Sequence, residues 1–241
     1  MKIDINCDMG ENIGNDEEIM PFITSANIAC GFHAGDEMSM RTTVRLAKKY
    51  GVAVGVHPGW KDTEGFGRRE MSRPPDEVET LISYQIRALA AIAKSEGVEI
   101  HHVKPHGALY NQAAKDKVLA TAIAKAVKRF SRELILVGLA GSSLIEAGAE
   151  IELRTANEGF PDRNYNSHGT LVSRQQANAL IESPEEVAWH AVGLVKDGID
   201  FTGRRVQVDT LCLHGDHPRA AQNAKLVREA LETNEINIVV L

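Results

Sequence analysis

Cysteine is scarce in this 241-residue chain, which has three, Cys7, Cys30 and Cys212. An odd number of thiols, each at or near the end of an apolar segment, argues against a disulfide framework and predicts reduced, buried side chains in a cytoplasmic protein. Long basic runs are missing too. With 27 Lys plus Arg against 33 Asp plus Glu, a net charge of −6, neither nucleic acid nor an anionic membrane is expected as the main partner. No apolar stretch is long enough to cross a bilayer, and no secretory signal is expected. The Walker pattern G-x-x-x-x-G-K-[ST] is absent, so any nucleotide is held in another way; the H-E-x-x-H of helical zinc sites is absent as well. Linkers, internal repeats and low-complexity tracts are lacking. Residues 1–241, 43% hydrophobic, therefore suit a single domain of barrel size.

What is present starts with Asp4-Ile5-Asn6-Cys7-Asp8-Met9-Gly10-Glu11. A strand points alternate residues to one face, so Asp4, Asn6 and Asp8 stand together while Ile3, Ile5 and Cys7 pack the other way. Burying adjacent carboxylates costs several kcal/mol unless they are paired, metal-bound or solvated, so the row suggests a working site. An EF-hand fails here, because its glycine would fall at Met9 and its bidentate acid at Asn15. Later strand candidates also run into polar clusters. Ala26 to Cys30 leads into His33, Ala53 to Val56 into His57-Pro58, Ile100 to Val103 into Lys104-Pro105-His106, Ile151 to Ala156 into Asn157-Glu158, and Val206 to Leu213 into His214-Gly215-Asp216. Function gathered at one end of successive strands is the mark of a β/α barrel.

Amphipathic helices lie between these strands. Asp36 is placed to cap one reaching Tyr50, Pro74-Pro75-Asp76 opens another ending near Gly97, and Ser183-Pro184-Glu185-Glu186 reads as a capping box for a helix to Gly198. Asp216-His217-Pro218 introduces a last one to about Leu231. About seven β/α units result, with Ile236 to Leu241 as an extra strand or docked tail. The longest loops are expected at Gly59 to Arg73 and Glu158 to Arg174. The first holds Arg68 and Arg69 behind two glycines, suited to gripping a carboxylate or phosphate, and the second holds Glu158, Asp162 and Arg163. Of the nine histidines, His33, His57, His106 and His214 follow strands and belong to the rim. His101 and His102 lie within a strand, one facing the barrel interior, and His168, His190 and His217 are expected to be surface or packing residues.

The runs Asp4 to Glu11, Asn27 to Asp36, Gly55 to Pro58, Gly65 to Arg69, Val103 to Asn111, Asp162 to Tyr165 and Cys212 to Asp216 closely resemble the LamB/YcsF family. The resemblance implies an α/β, irregular (β/α)7-type barrel similar to the glycoside hydrolase/deacetylase fold. It also implies a component of an ATP-dependent 5-oxoprolinase, which opens the lactam of 5-oxoproline to L-glutamate with subunits B and C, using ATP with Mg²⁺ as co-substrate. As site residues we expect Asp4, Asn6, Asp8, Glu11, His33, His57, Lys104, His106, Glu158 and His214 for chemistry, with Arg68, Arg69, Arg163 and Asp216 for substrate. A divalent metal at the rim is compatible with these residue types. Two other readings stay open: a stand-alone metal-dependent amidohydrolase resembling a deacetylase, and a non-catalytic binding subunit.

Overall fold

In a computed structural model that describes every residue except Gln175, Thr202, His217 and Pro218, the opening alternation becomes strand β1 (Lys2–Met9). It is followed by β2 (Ser25–Ala29), β3 (Ala53–His57), β4 (Ile100–Val103), β5 (Ile135–Leu139) and β6 (Thr155–Gly159). A hairpin of β7 (Ile199–Phe201) and β8 (Arg204–Val206) then precedes β9 (Thr210–Leu213). Strands β1 to β6 and β9 pair in parallel, and β9 returns to β1 with Asp4 opposite Thr210, closing a seven-stranded barrel. The expected fold class is therefore observed. The tail adds β10 (Asn237–Ile238), parallel to the start of β1.

Helices α1 (Asp16–Ile19), α2 (Glu37–Tyr50), α3 (Pro75–Ser95), α4 (Gly107–Ala113), α5 (Lys117–Phe130), α6 (Ser143–Glu150), α7 (Pro184–Asp197) and α8 (Ala220–Thr233) fill the connections. Asp36 and Ser39 cap α2 reciprocally. Ser183 gives half of the expected box on α7, accepting from Glu186 N at 3.3 Å while its hydroxyl donates to Glu185 at 2.8 Å. The segment expected to introduce α8 includes His217 and Pro218, which lie outside the described residues. Among those described, no helix is long and apolar enough to cross a membrane.

Two strand boundaries differ from those expected. Ile151 to Ala156 is not a strand, because Ile151 ends α6 and β6 starts only at Thr155. Glu152, at φ 57, makes the turn between them. Glu158 consequently sits in a strand inside the barrel, not in a solvated loop. Val206 to Leu213 is likewise split, with β8 ending at Val206 and β9 starting at Thr210.

Outside the barrel wall Ile3, Ile5, Cys7, Met9, Ile28, Val54, Val56 and Val103 join the helices in the main core. Inside, one half is polar, where barrels of this kind are usually filled by branched apolar residues. Buried polar groups must be hydrogen-bonded, and here they bond in layers. Asp4 accepts from Thr24 and Ser25, both at 2.7 Å, and from Thr210 at 2.6 Å. One layer higher Asn27 donates to Asn6 Oδ1 at 2.7 Å and accepts from His102 Nε2 at 2.7 Å. His102 is thus the member of its pair that faces inward. Gly55 makes room for it, since a Cβ there would overlap the imidazole ring.

Candidate active site

The uppermost polar layer opens into a cleft of about 1190 Å³ at the C-terminal rim, lined among others by Asp8, Glu11, His57, Lys104, His106 and His214. Arg68, Arg69, Arg163 and Asp216 line the same cleft. Asp4, Asn6, His33 and Glu158 lie beneath this surface, buried. Asp4 is the most remote, its oxygens taken up by hydroxyls of β9 and of the β2 entry.

Lys104 stands at the centre. Its Nζ donates to Asp8 Oδ1 and Cys212 Sγ, both at 2.9 Å, and to Asn6 Oδ1 at 3.3 Å, with Glu158 Oε1 an ion-pair partner at 2.9 Å. Burial alone would lower its pKa, but Asp8 above all holds the ammonium well above the ordinary range. The Cys212 thiol is pushed far up by burial and stays protonated, so the ionic partners of Lys104 are the two carboxylates. Burial would also raise Asp8, yet His57 and Lys104 hold that carboxyl well below its usual value. Asp8 Oδ1 accepts from both Lys104 and Asn27, and Oδ2 is left 3.3 Å from His57 Nε2.

Beside Asp8, Glu11 Oε1 lies 3.2 Å from His33 Nε2 and 3.3 Å from His106 Nδ1. Burial, then the neighbouring Asp8, pushes the Glu11 carboxyl up to about 8. Burial followed by His57 brings His33 down to about 3, so its ring is neutral. These rings approach so closely because Gly67, at φ +65, has no side chain: a Cβ would sit 2.7 Å from His33 and 2.8 Å from His106. His102 and His106 have H-x-x-x-H spacing, a pattern not singled out above. Here the strand sends His102 into the barrel interior and His106 to the rim, so the two do not form one site.

Across the cleft, His214 Nδ1 donates to Asp162 Oδ2 at 2.8 Å, and the same oxygen accepts from the His214 backbone at 3.2 Å. Asp162 is fully buried and orients the ring, and Nε2 has no hydrogen bond among the described residues. Asp162 was not among the expected site residues, and neither was Tyr110. Both the Tyr110 hydroxyl and Glu158 Oε2 are buried without a hydrogen-bond partner among the described residues. Burial, then Glu158, pushes the Tyr110 phenol well above its usual value, so it remains a donor.

The arginines divide. Arg69 turns back to pair with Asp62 in its own loop, whereas Arg68 pairs with Asp216 across the mouth. Arg174, which no sequence motif marks, approaches the same Asp216 oxygen at 3.6 Å. Arg163 is buried and donates to the Ala179 and Val172 carbonyls at 3.2 and 2.6 Å, clamping the loop between β6 and α7. His168 is exposed and meets Thr170 at 2.8 Å; His190 meets the Pro161 carbonyl at 2.9 Å.

The chain and its fold have counterparts among known proteins. The lactam utilization protein of Thermus thermophilus superposes with a TM-score of 0.92 at 45% identity, with all of both chains covered. A family 4 carbohydrate esterase from Streptomyces lividans, at 10% identity and TM-score 0.54, covers 99% of this chain and 92% of its own and shares the fold alone. Proteins named as the A subunit of 5-oxoprolinase are similar along their whole length. That of Symbiobacterium thermophilum is 52% identical, covering 98% of this chain and 94% of its own. That of Pyrococcus furiosus is 48% identical, covering 99% and 97%. The LamB/YcsF family matches residues 3–241, and the chain belongs to that family.

Proposed function

We propose that the protein is a component of an ATP-dependent 5-oxoprolinase and that its barrel rim opens the lactam of 5-oxoproline to L-glutamate. The observation that carries this reading is the Asp8 carboxylate at the cleft floor, with one oxygen held by Lys104 and Asn27 and the other 3.3 Å from His57 Nε2. Relatives of about half-identical sequence, named as the A subunit of 5-oxoprolinase, supply the substrate and the assembly.

A lactam carbonyl is a poor electrophile. Transfer of the γ-phosphoryl group of Mg²⁺-ATP to the lactam oxygen releases ADP and activates the carbon. A water then adds, the C–N bond breaks as nitrogen takes a proton, and a second water releases phosphate. His214, with Nδ1–H held by Asp162, has Nε2 available to take a proton from water, and Asp8 Oδ2 is the second candidate base. Tyr110 offers an O–H to an oxygen developing charge. Arg68 and Arg174, which share Asp216 at the mouth, can exchange that carboxylate for the one on the substrate. Partner subunits B and C complete the enzyme in this reading. The test is a reconstituted assay with 5-oxoproline, ATP and Mg²⁺, following glutamate and ADP together with and without the partners.

The convergence of Glu11, His57 and His106 favours a second reading, a metal-dependent hydrolase acting alone. It would show as amide or ester hydrolysis without ATP.

A further inference from the structure

The rings of His57 and His106 meet edge to face at the rim. His57 Nδ1 donates to the Lys104 carbonyl and His106 Nε2 to the Phe66 carbonyl, both at 2.8 Å. A carbonyl only accepts, so these bonds place a proton on His57 Nδ1 and on His106 Nε2. The opposite nitrogens, His57 Nε2 and His106 Nδ1, are then the ones able to turn lone pairs toward a shared ion, 3.0 Å apart. Such a contact repels unless a positive centre lies against both. Glu11 Oε1 completes a triangle, 3.3 Å from His106 Nδ1 and 4.0 Å from His57 Nε2. Donors held tetrahedrally at bonds of about 2.0–2.1 Å stand about 3.3 Å apart, which the two edges at His106 Nδ1 match, the 4.0 Å edge from Glu11 to His57 being longer.

We infer that Glu11, His57 and His106 form a divalent-metal site of the two-histidine, one-carboxylate kind, taking zinc or another transition ion and leaving a position open to the cleft. The backbone carbonyls of Lys104 and Phe66 are its outer support, fixing ring orientation as partners of metal-bound imidazoles do. His33 is not a ligand. Its ring lies parallel to that of His106, at 3° with centroids 3.8 Å apart, so an ion in the plane of one imidazole is well out of the plane of the other. It contacts the same Glu11 oxygen at 3.2 Å and acts as a positioning residue for that carboxylate. An ion held here would serve as a Lewis acid facing the substrate.

Metal uptake is measured without 5-oxoproline, ATP or partner subunits, so this inference and the lactam reading stand or fall separately. The chelator-stripped chain is titrated with CoCl₂, followed by visible absorption, and with ZnCl₂ by calorimetry. We expect one equivalent of either ion. Glu11→Gln and His106→Ala should each weaken binding by about 10-fold or more, and His190→Ala, away from the cluster, should leave it unchanged. Circular dichroism establishes that each variant is folded; should His106→Ala not fold, the isosteric Glu11→Gln decides. A parent chain that takes up neither ion at micromolar concentration overturns the site, as does wild-type affinity in Glu11→Gln.

Discussion

Lys104 Nζ and Asp8 Oδ1 lie 2.9 Å apart at the floor of the cleft, with both side chains buried. The pair separates two functions that a single substitution at each position can resolve. Asp8→Asn keeps a polar group of the same shape, so its melting temperature should stay within a few degrees of the parent. Turnover in the reconstituted complex should fall by about 100-fold or more, because an amide is neither anion nor base. Lys104→Met leaves Asp8 and Glu158 buried without their cation and should cost about 3–5 kcal/mol of stability. Denaturant unfolding of both variants checks the contrast.

Asp162→Asn tests the histidine it orients. The amide can present its NH₂ to Nδ1 and stabilise the wrong tautomer, so we expect kcat to fall by about 100-fold or more with KM little changed. Steady-state kinetics with partners present decide this, and an unaltered kcat would leave Asp162 a fold residue only.

At the mouth, Arg68→Lys and Arg174→Lys should each raise KM for 5-oxoproline by about 10-fold, since an ammonium does not reproduce a bidentate fork. Arg69→Lys should act mainly on stability, because Arg69 is committed to Asp62. A KM effect at Arg69 alone would reverse that division.

A fourth expectation concerns pH and lies away from the site. Hydrogen bonds from Arg45 and then Arg41 lower the Glu96 carboxyl to about 2, tying α2 to the end of α3. A lowered folded-state pKa stabilises fully above the unfolded value, about 4.3, and the effect is lost as pH falls toward 2. Glu96→Gln should therefore melt slightly below the parent at pH 7, with the gap closing between pH 5 and pH 2. Paired thermal melts across that range give the answer.

Much of the rim was legible because strand ends announce themselves. The alternation of Asp4, Asn6 and Asp8 placed one face of β1 inside the barrel, and His57-Pro58 and Lys104-Pro105-His106 marked the ends of β3 and β4. What alternation could not show was depth: Asp4 shares its face with Asp8 but lies two layers below the cleft. Glu158 was misplaced because the apolar Ile151 and Leu153 imitate a strand while closing the turn after α6. Asp162 was hidden because its partner His214 comes from the end of β9, 52 residues later and adjacent only once the barrel closes. Arg68 and Arg69 read as a pair since neighbours in sequence look alike, yet the backbone at Gly67 sends them to different carboxylates.

The central claim is that this rim performs ATP-coupled lactam opening only within an assembly. Its most direct test is glutamate release from 5-oxoproline at high enzyme concentration with ATP and Mg²⁺, by this chain alone and by the chain with subunits B and C. The account predicts negligible glutamate from the chain alone and matched glutamate and ADP from the complex, both abolished by Asp8→Asn. Stoichiometric ATP-dependent glutamate formation by the lone chain, or full activity of the Asp8→Asn complex, would contradict it.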